Sequence, residues 1–146
     1  MNGFLLDVNL LIALAWPRHH AHEGATRWFN KHAHGHWATC PITECDFVQI
    51  ISSTSFSPDA LTISEALRLL EDNLNHPGHH FWRDDLNGND ALRRFQLVGH
   101  QQVTDAYLLA LAIHNKGKLA TLDKSIQALA GGDEKSHVEL VSSYFT

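Results

Sequence analysis

The chain has 146 residues, 44% apolar and 18% charged, which suits one globular domain with its own core and excludes a disordered chain. Its 11 basic residues face 16 acidic ones, a formal charge of −5 that excludes a strongly basic chain coating nucleic acid by electrostatics alone. The 12 histidines can add positive charge as pH falls.

Gly3–Leu6 is a short, continuous apolar run, the pattern of a strand buried on both faces. Asn9 to Trp16 then reads as a short apolar helix ended by Pro17. Ala21, Ala25, Trp28, Phe29 and His32 recur at helical spacing, predicting a helix from about Ala21 to Ala33. His36–Cys40 is a second strand, between Gly35 and Pro41. A helix is expected from Thr43, with Asp46 completing an approximate capping box and Phe47, Val48, Ile50 and Ile51 turned inward; Ser52–Pro58 ends it. Thr62 and Glu65 form a cleaner capping box for a helix through about Leu74. His76–Trp82 holds a turn and a short strand, and Asn87–Phe95 another short helix. Thr104 is placed to cap an apolar helix, Asp105–Gly117, that stops at a glycine. Lys118–Leu122 is a strand, Lys124–Ala130 a helical turn or two, and His137–Val141 the last strand. Strands alternating with helices imply an α/β fold: one domain over residues 1–146, its central parallel sheet covered by helices on both faces.

The apolar opening differs from a signal peptide in lacking a basic flank and in being interrupted by Asp7 and Asn9. No apolar run approaches the ~20 residues of a membrane span, so a cytoplasmic protein without membrane association is expected. Cys40 and Cys45 are too close in sequence to staple much of the chain, and they lack the second pair of a structural zinc site. Both are expected to be small buried thiols.

Four acids fall at the carboxyl ends of predicted strands, where open α/β sheets gather their ligands. Asp7 follows the first strand, Glu44 lies in the first turn after the second, Asp105 opens the apolar helix, and Asp123 follows Lys118–Leu122. Each alone has a structural explanation: a cap, a favourable helix dipole, or an Asx turn. Together they point to chemistry, because clustered carboxylates repel unless a cation neutralises them, and hard oxygen ligands select Mg²⁺ or Mn²⁺. A metal-assisted hydrolase of phosphodiester bonds follows, with no histidine or cysteine nucleophile required.

These residues carry a family resemblance. FLLDVNLLIAL, with Asp7 and Asn9, resembles the opening of PIN domains; CPITECDFVQI, QVTDAYLLALA and LATLDKSI resemble the later motifs that hold Glu44, Asp105 and Asp123. The matches run in order across essentially the whole chain, and DVNLLIALAWPRHHAHEGATRWF looks like the VapC branch, toxins of bacterial type II toxin–antitoxin systems. The resemblance implies an Mg²⁺- or Mn²⁺-dependent endoribonuclease acting on RNA, often a homodimer, held inactive by a VapB-like antitoxin whose basic side chain occupies the acidic pocket. Geometry and resemblance together assign Asp7 and Asp105 to the principal metal, with Glu44 and Asp123 as further ligands or partners through water. Asn9 and, by resemblance, Thr121 support the site.

Other features are open to two readings. His19, His20 and His22, and His32, His34 and His36, suggest zinc or a histidine-rich surface. His100 is either a phosphate contact or a loop residue. Trp28 and Trp37 belong to the expected core, whereas Trp82, beside Arg83, either packs or forms a substrate or partner surface. Arg93 and Arg94 are a candidate phosphate contact or a solvated helix face. Two rival functions remain. A haloacid-dehalogenase-like phosphohydrolase needs a second aspartate where Asn9 stands, and a non-catalytic RNA- or protein-binding PIN scaffold would not need four acids. Setting those four aside leaves 11 basic against 12 acidic residues, so the rest of the chain is nearly neutral.

Overall fold

Phe4, Leu5 and Leu6 are buried on both faces of β1 (Phe4–Leu6), the central strand of a five-stranded sheet. The computed structural model describes residues 3–145. After β1 come α1 (Val8–Ala15), α2 (His22–Trp28), β2 (Trp37–Thr39), α3 (Pro41–Ile51), α4 (Ile63–Leu74) and β3 (His79–Phe81). The second half adds α5 (Gly88–Arg93), α6 (Val103–His114), β4 (Lys118–Thr121), α7 (Ser125–Leu129) and β5 (Val138–Leu140). All strand pairs are parallel, in the spatial order β3-β2-β1-β4-β5. The α/β fold with a parallel central sheet is therefore as the sequence leads one to expect.

Alternation along β1 divides the core in two. Phe4 and Leu6 face one side with Leu10, Trp28, Phe47, Ile51 and Leu70, which come from α1 to α4. Leu5 faces the other with Leu119, Leu108, Leu111 and Ile126, from β4, α6 and α7. Burial on both faces explains why β1 reads as an unbroken apolar run rather than an alternating one. The chain first builds outward from β1 through β2 to β3, then returns to the opposite side of β1 for β4 and β5. The direction of winding thus reverses between β1 and β4, and a crevice opens there at the strands' carboxyl ends.

Several local expectations are corrected. Helix α3 starts at Pro41, with Cys40 as its cap residue, so Thr43 and Asp46 form no capping box at its start. Thr43 is instead the third helical residue, and its hydroxyl accepts a hydrogen bond from the Cys40 backbone N–H (3.0 Å). Proline suits the first turn because the N–H it lacks would have had no helical partner. Thr104 does not cap α6, which runs on from a 3₁₀ turn at His100–Gln102 and begins at Val103. At its other end Lys116, not a glycine, takes the left-handed conformation (φ 59°). The Gly117 and Lys116 N–H groups bond to the Ala112 and Ile113 carbonyls, closing a Schellman turn. Gly117 is required for another reason: a Cβ there would lie 2.5 Å from the Gly3 carbonyl oxygen and 2.7 Å from the Trp82 ring. The helix predicted from Ala21 to Ala33 continues past α2 as a π turn over Phe29–Ala33. Cys40 is buried as expected, but Cys45 is exposed; both are free thiols. Among the described residues no helix is long and apolar enough to cross a membrane.

Central-strand burial sets a stability contrast. Leu5→Ala is expected to cost about 2–5 kcal/mol through lost burial and the cavity left behind. Leu67→Ala, on the exposed side of α4, should change stability by less than about 0.5 kcal/mol. Urea unfolding of both variants checks this, and equal costs would contradict the packing described.

Candidate active site

Asp7 leaves β1 and caps α1: its backbone is extended and its Oδ1 accepts a hydrogen bond from the Leu10 N–H at 2.9 Å. Its Oδ2 accepts from the Thr121 hydroxyl, at the end of β4, at 2.5 Å. The Asp7 N–H bonds to the Ala120 carbonyl, extending the β1–β4 ladder to this point. Thr121 is fully buried and has a second task, because its oxygen accepts from the Asp123 N–H at 3.0 Å. One hydroxyl therefore ties Asp7 to the turn that carries Asp123. That turn is an Asx turn, with Asp123 Oδ1 accepting from the Ser125 N–H at 2.9 Å. Asp105 sits in the first turn of α6, partly buried.

The electrostatics report how these acids are arranged. Burial pushes Asp7 up from 3.8 to about 6, against the lowering effect of its bonds to Thr121 and Leu10; Asp105 and Asp123 raise it further. Asp105 also rises to about 6, first through burial and then through Asp123. Asp7 and Asp105 lie at helix N-termini, where the dipole favours a negative charge. Desolvation and mutual repulsion exceed that benefit. Among the described residues, no Lys, Arg or His forms an ion pair with Asp7, Glu44, Asp105 or Asp123.

Glu44 is held differently. It lies in the first turn of α3, and its Oε2 accepts from the Thr39 hydroxyl at 2.7 Å. The same hydroxyl lies 2.8 Å from Nε2 of His79 on β3. Asp105 and Asp123 are the charges that raise Asp7. Asp7, Asp105 and Asp123 thus lie within reach of one another's charge, and the Glu44 carboxylate is bound to Thr39. Thr39 and His79 escaped sequence reasoning. The only hint was Thr39's place at the end of a short strand shortly before an acid.

The remaining candidates separate clearly. Asn9 is exposed on the first turn of α1. Trp28 and Trp37 are core residues, their indole N–H groups bonded to Glu139 Oε2 (3.1 Å) and His76 Nδ1 (3.1 Å). Trp82 packs in the core beside Gly117, so it offers no stacking surface. Arg94 pairs with Glu134 at 3.1 Å, Arg93 bonds to Asn89, and His100 is exposed in the turn before α6. His36 lies against Phe4 and His32 against Tyr144 and Trp28. Among the described residues, no group of three or more His, Cys, Asp or Glu side chains is arranged to hold a metal ion by itself, so the zinc reading finds no support. Mg²⁺ makes a lesser demand, taking one or two carboxylates with waters and substrate phosphate oxygens. Asp7 and Asp105, close enough for the Asp105 charge to raise Asp7 and without cationic partners among the described residues, fit that donor set.

The raised values give a pH dependence. A carboxyl group with a raised folded-state pKa adds relative stability at low pH, which is lost as pH climbs from about 3.8 through about 6. Asp7→Asn removes one such group while keeping an oxygen for Leu10 and an amide for Thr121. In chelator, this variant should melt close to wild type at pH 4 and a few degrees above it at pH 7. Melting temperatures that differ equally at both pH values would contradict the burial of an uncompensated charge.

Comparison with known proteins agrees with this geometry. The family model for the PIN domain matches residues 4–132. Ribonuclease VapC38 of Mycobacterium tuberculosis is 41% identical over 138 residues, covering 94% of this chain and 97% of that protein. Ribonuclease VapC39 of the same organism is 42% identical over 124 residues (84% and 89%), and ribonuclease VapC44 is 38% identical over 137 residues (92% and 96%). With the strand order, the clustered acids and these matches in agreement, the chain belongs to the PIN domain family, in its VapC-type branch.

Proposed function

We propose that this chain is a divalent-metal-dependent endoribonuclease, a VapC-type toxin that hydrolyses phosphodiester bonds in RNA. The observation that carries the reading is the meeting of Asp7, Asp105 and Asp123 at the sheet's carboxyl edge, in a chain whose relatives are named ribonucleases. Asp7 and Asp105 would hold Mg²⁺ or Mn²⁺, with Asp123 and Glu44 as outer partners or further ligands. A divalent ion there supplies Lewis-acid activation of water and charge stabilisation at the phosphate. Asp7 is the fixed member, since both its oxygens are already oriented by Leu10 and Thr121. Asp105 is carried on α6, whose rigid apolar body is buried from Ala106 to Ala112. Asp123, exposed at the rim and braced by Ser125, adds negative charge without closing the site.

An acidic site of this kind favours a basic side chain as its inhibitor, which agrees with control by a VapB-like antitoxin in the cytoplasm. A homodimer is part of the same reading.

A haloacid-dehalogenase-like route through a covalent phosphoaspartate is disfavoured. Asp7 would be the nucleophile, yet it is 4% exposed and both its oxygens accept hydrogen bonds. A non-catalytic scaffold is disfavoured as well, because it would bear the cost of two raised carboxyl groups without using them.

The test is cleavage of a mixed RNA pool by purified protein in Mg²⁺ or Mn²⁺, with end sequencing of the products. Asp7→Asn and Asp105→Asn should each lower cleavage at least ~100-fold, near the scale of a lost catalytic group, while circular dichroism stays at wild type. Chelator should abolish wild-type cleavage. Undiminished cleavage by either folded variant would refute the assignment.

A further inference from the structure

Thr39, buried to 0% exposure, places its hydroxyl oxygen 2.7 Å from Glu44 Oε2 and 2.8 Å from His79 Nε2. Among the described residues, Glu44 and His79 are joined through that hydroxyl. The three residues come from separate elements, β2, α3 and the edge strand β3. Parallel pairing of β2 with β3 sets their relation: Trp37 lies opposite His79, and Thr39 opposite Phe81. The His79 ring also packs on Trp37, with ring centroids 4.8 Å apart.

Proton counting makes the arrangement informative. A hydroxyl has one proton to give, and a carboxylate only accepts. When the ring is neutral, Nε2 of His79 faces the Thr39 oxygen as acceptor or as donor, according to the tautomer. Burial, then the neighbouring His80, holds the ring below its ordinary pKa and favours that neutral form. With Nε2 unprotonated, two acceptors on different elements share one buried proton; with Nε2 protonated, the ring donates to Thr39 and Thr39 to Glu44. Where the Thr39 proton points decides whether the Glu44 carboxylate keeps this hydrogen bond.

We propose that Thr39 and His79 are positioning residues for Glu44, holding its carboxylate on the β2–β3 side of the sheet's carboxyl edge and setting how readily it turns toward a bound ion. In the resting chain Glu44 is bound to Thr39, and His79, on the far side of that hydroxyl, sets how firmly the bond is held. This inference rests on the ribonuclease reading for its effect on catalysis, but not for the hydrogen-bond relay itself.

Two measurements test it. The first is RNA cleavage by Thr39→Val and Thr39→Ser, with Mg²⁺ titrated. Loss of one hydrogen bond to a charged group predicts roughly a tenfold fall in kcat for Thr39→Val, with KM for RNA little changed. Thr39→Ser, which keeps the hydroxyl, should be close to wild type. The second uses no RNA and no metal: imidazole ¹⁵N resonances at fixed pH, with His79 assigned from His79→Gln. Glu44→Gln should move the His79 Nε2 resonance, because glutamine can donate to the Thr39 oxygen and free the hydroxyl proton for His79. Asp105→Asn should leave that resonance in place. A His79 signal unmoved by Glu44→Gln overturns the proposal, and so does a Thr39→Val variant with wild-type kcat. Should wild-type protein cleave no RNA in Mg²⁺ or Mn²⁺, the ribonuclease reading fails, and the ¹⁵N measurement alone then decides the relay.

Discussion

The hydrogen bond from the Thr121 hydroxyl to the Asp7 carboxylate is the contact on which the site depends. It joins the ends of β1 and β4 where the sheet reverses its winding, and it fixes a carboxylate that burial would otherwise expel or protonate. Because the same oxygen accepts from the Asp123 N–H, moving Thr121 would displace two acids at once. The Leu10 N–H completes the hold on Asp7, so that α1, β1 and β4 all meet at this carboxylate.

Sheet and helices serve that contact in different ways. The two apolar layers leave little freedom for β1, whose three residues are all at or below 4% exposure. Helix α6 is buried almost throughout and carries Asp105 to the cluster from the opposite face of the sheet to α1. Three helices direct their N-termini toward this edge, and their dipoles lessen the cost of collecting acids there. They do not cancel it, as the raised Asp7 and Asp105 values record. The residual cost is what a divalent cation, or a basic side chain from a partner, can relieve.

Glu44 departs from the other three because its neighbours differ. The Thr39 hydroxyl supplies a hydrogen bond close by, and β3 supplies a histidine on the far side of that hydroxyl. Four acids that look equivalent along the chain therefore occupy two environments: three that repel one another across the β1–β4 crevice, and one satisfied on the β2–β3 side.

By itself the sequence determined the alternation of strands and helices, the apolar character of β1 and α6, and the placing of Asp7 and Asp123 just after strands and of Glu44 and Asp105 near helix starts. Those features follow from local periodicity and from the rule that parallel sheets bind at their carboxyl edge. Helix starts were less legible: Thr43 and Thr104 have the right side chains for caps, but chain direction set by Pro41 and by the 3₁₀ turn before α6 moved both into their helices. Trp82 likewise looked as fit for a surface as for a core until its burial and the close approach of Gly117 beneath it showed which. Only the tertiary structure decided that Asp7, Asp105 and Asp123 share a field while Glu44 is bound to Thr39, and that His79 belongs beside it. The physical reason is that strand order and register bring distant residues within hydrogen-bonding distance, and neither is written in local periodicity.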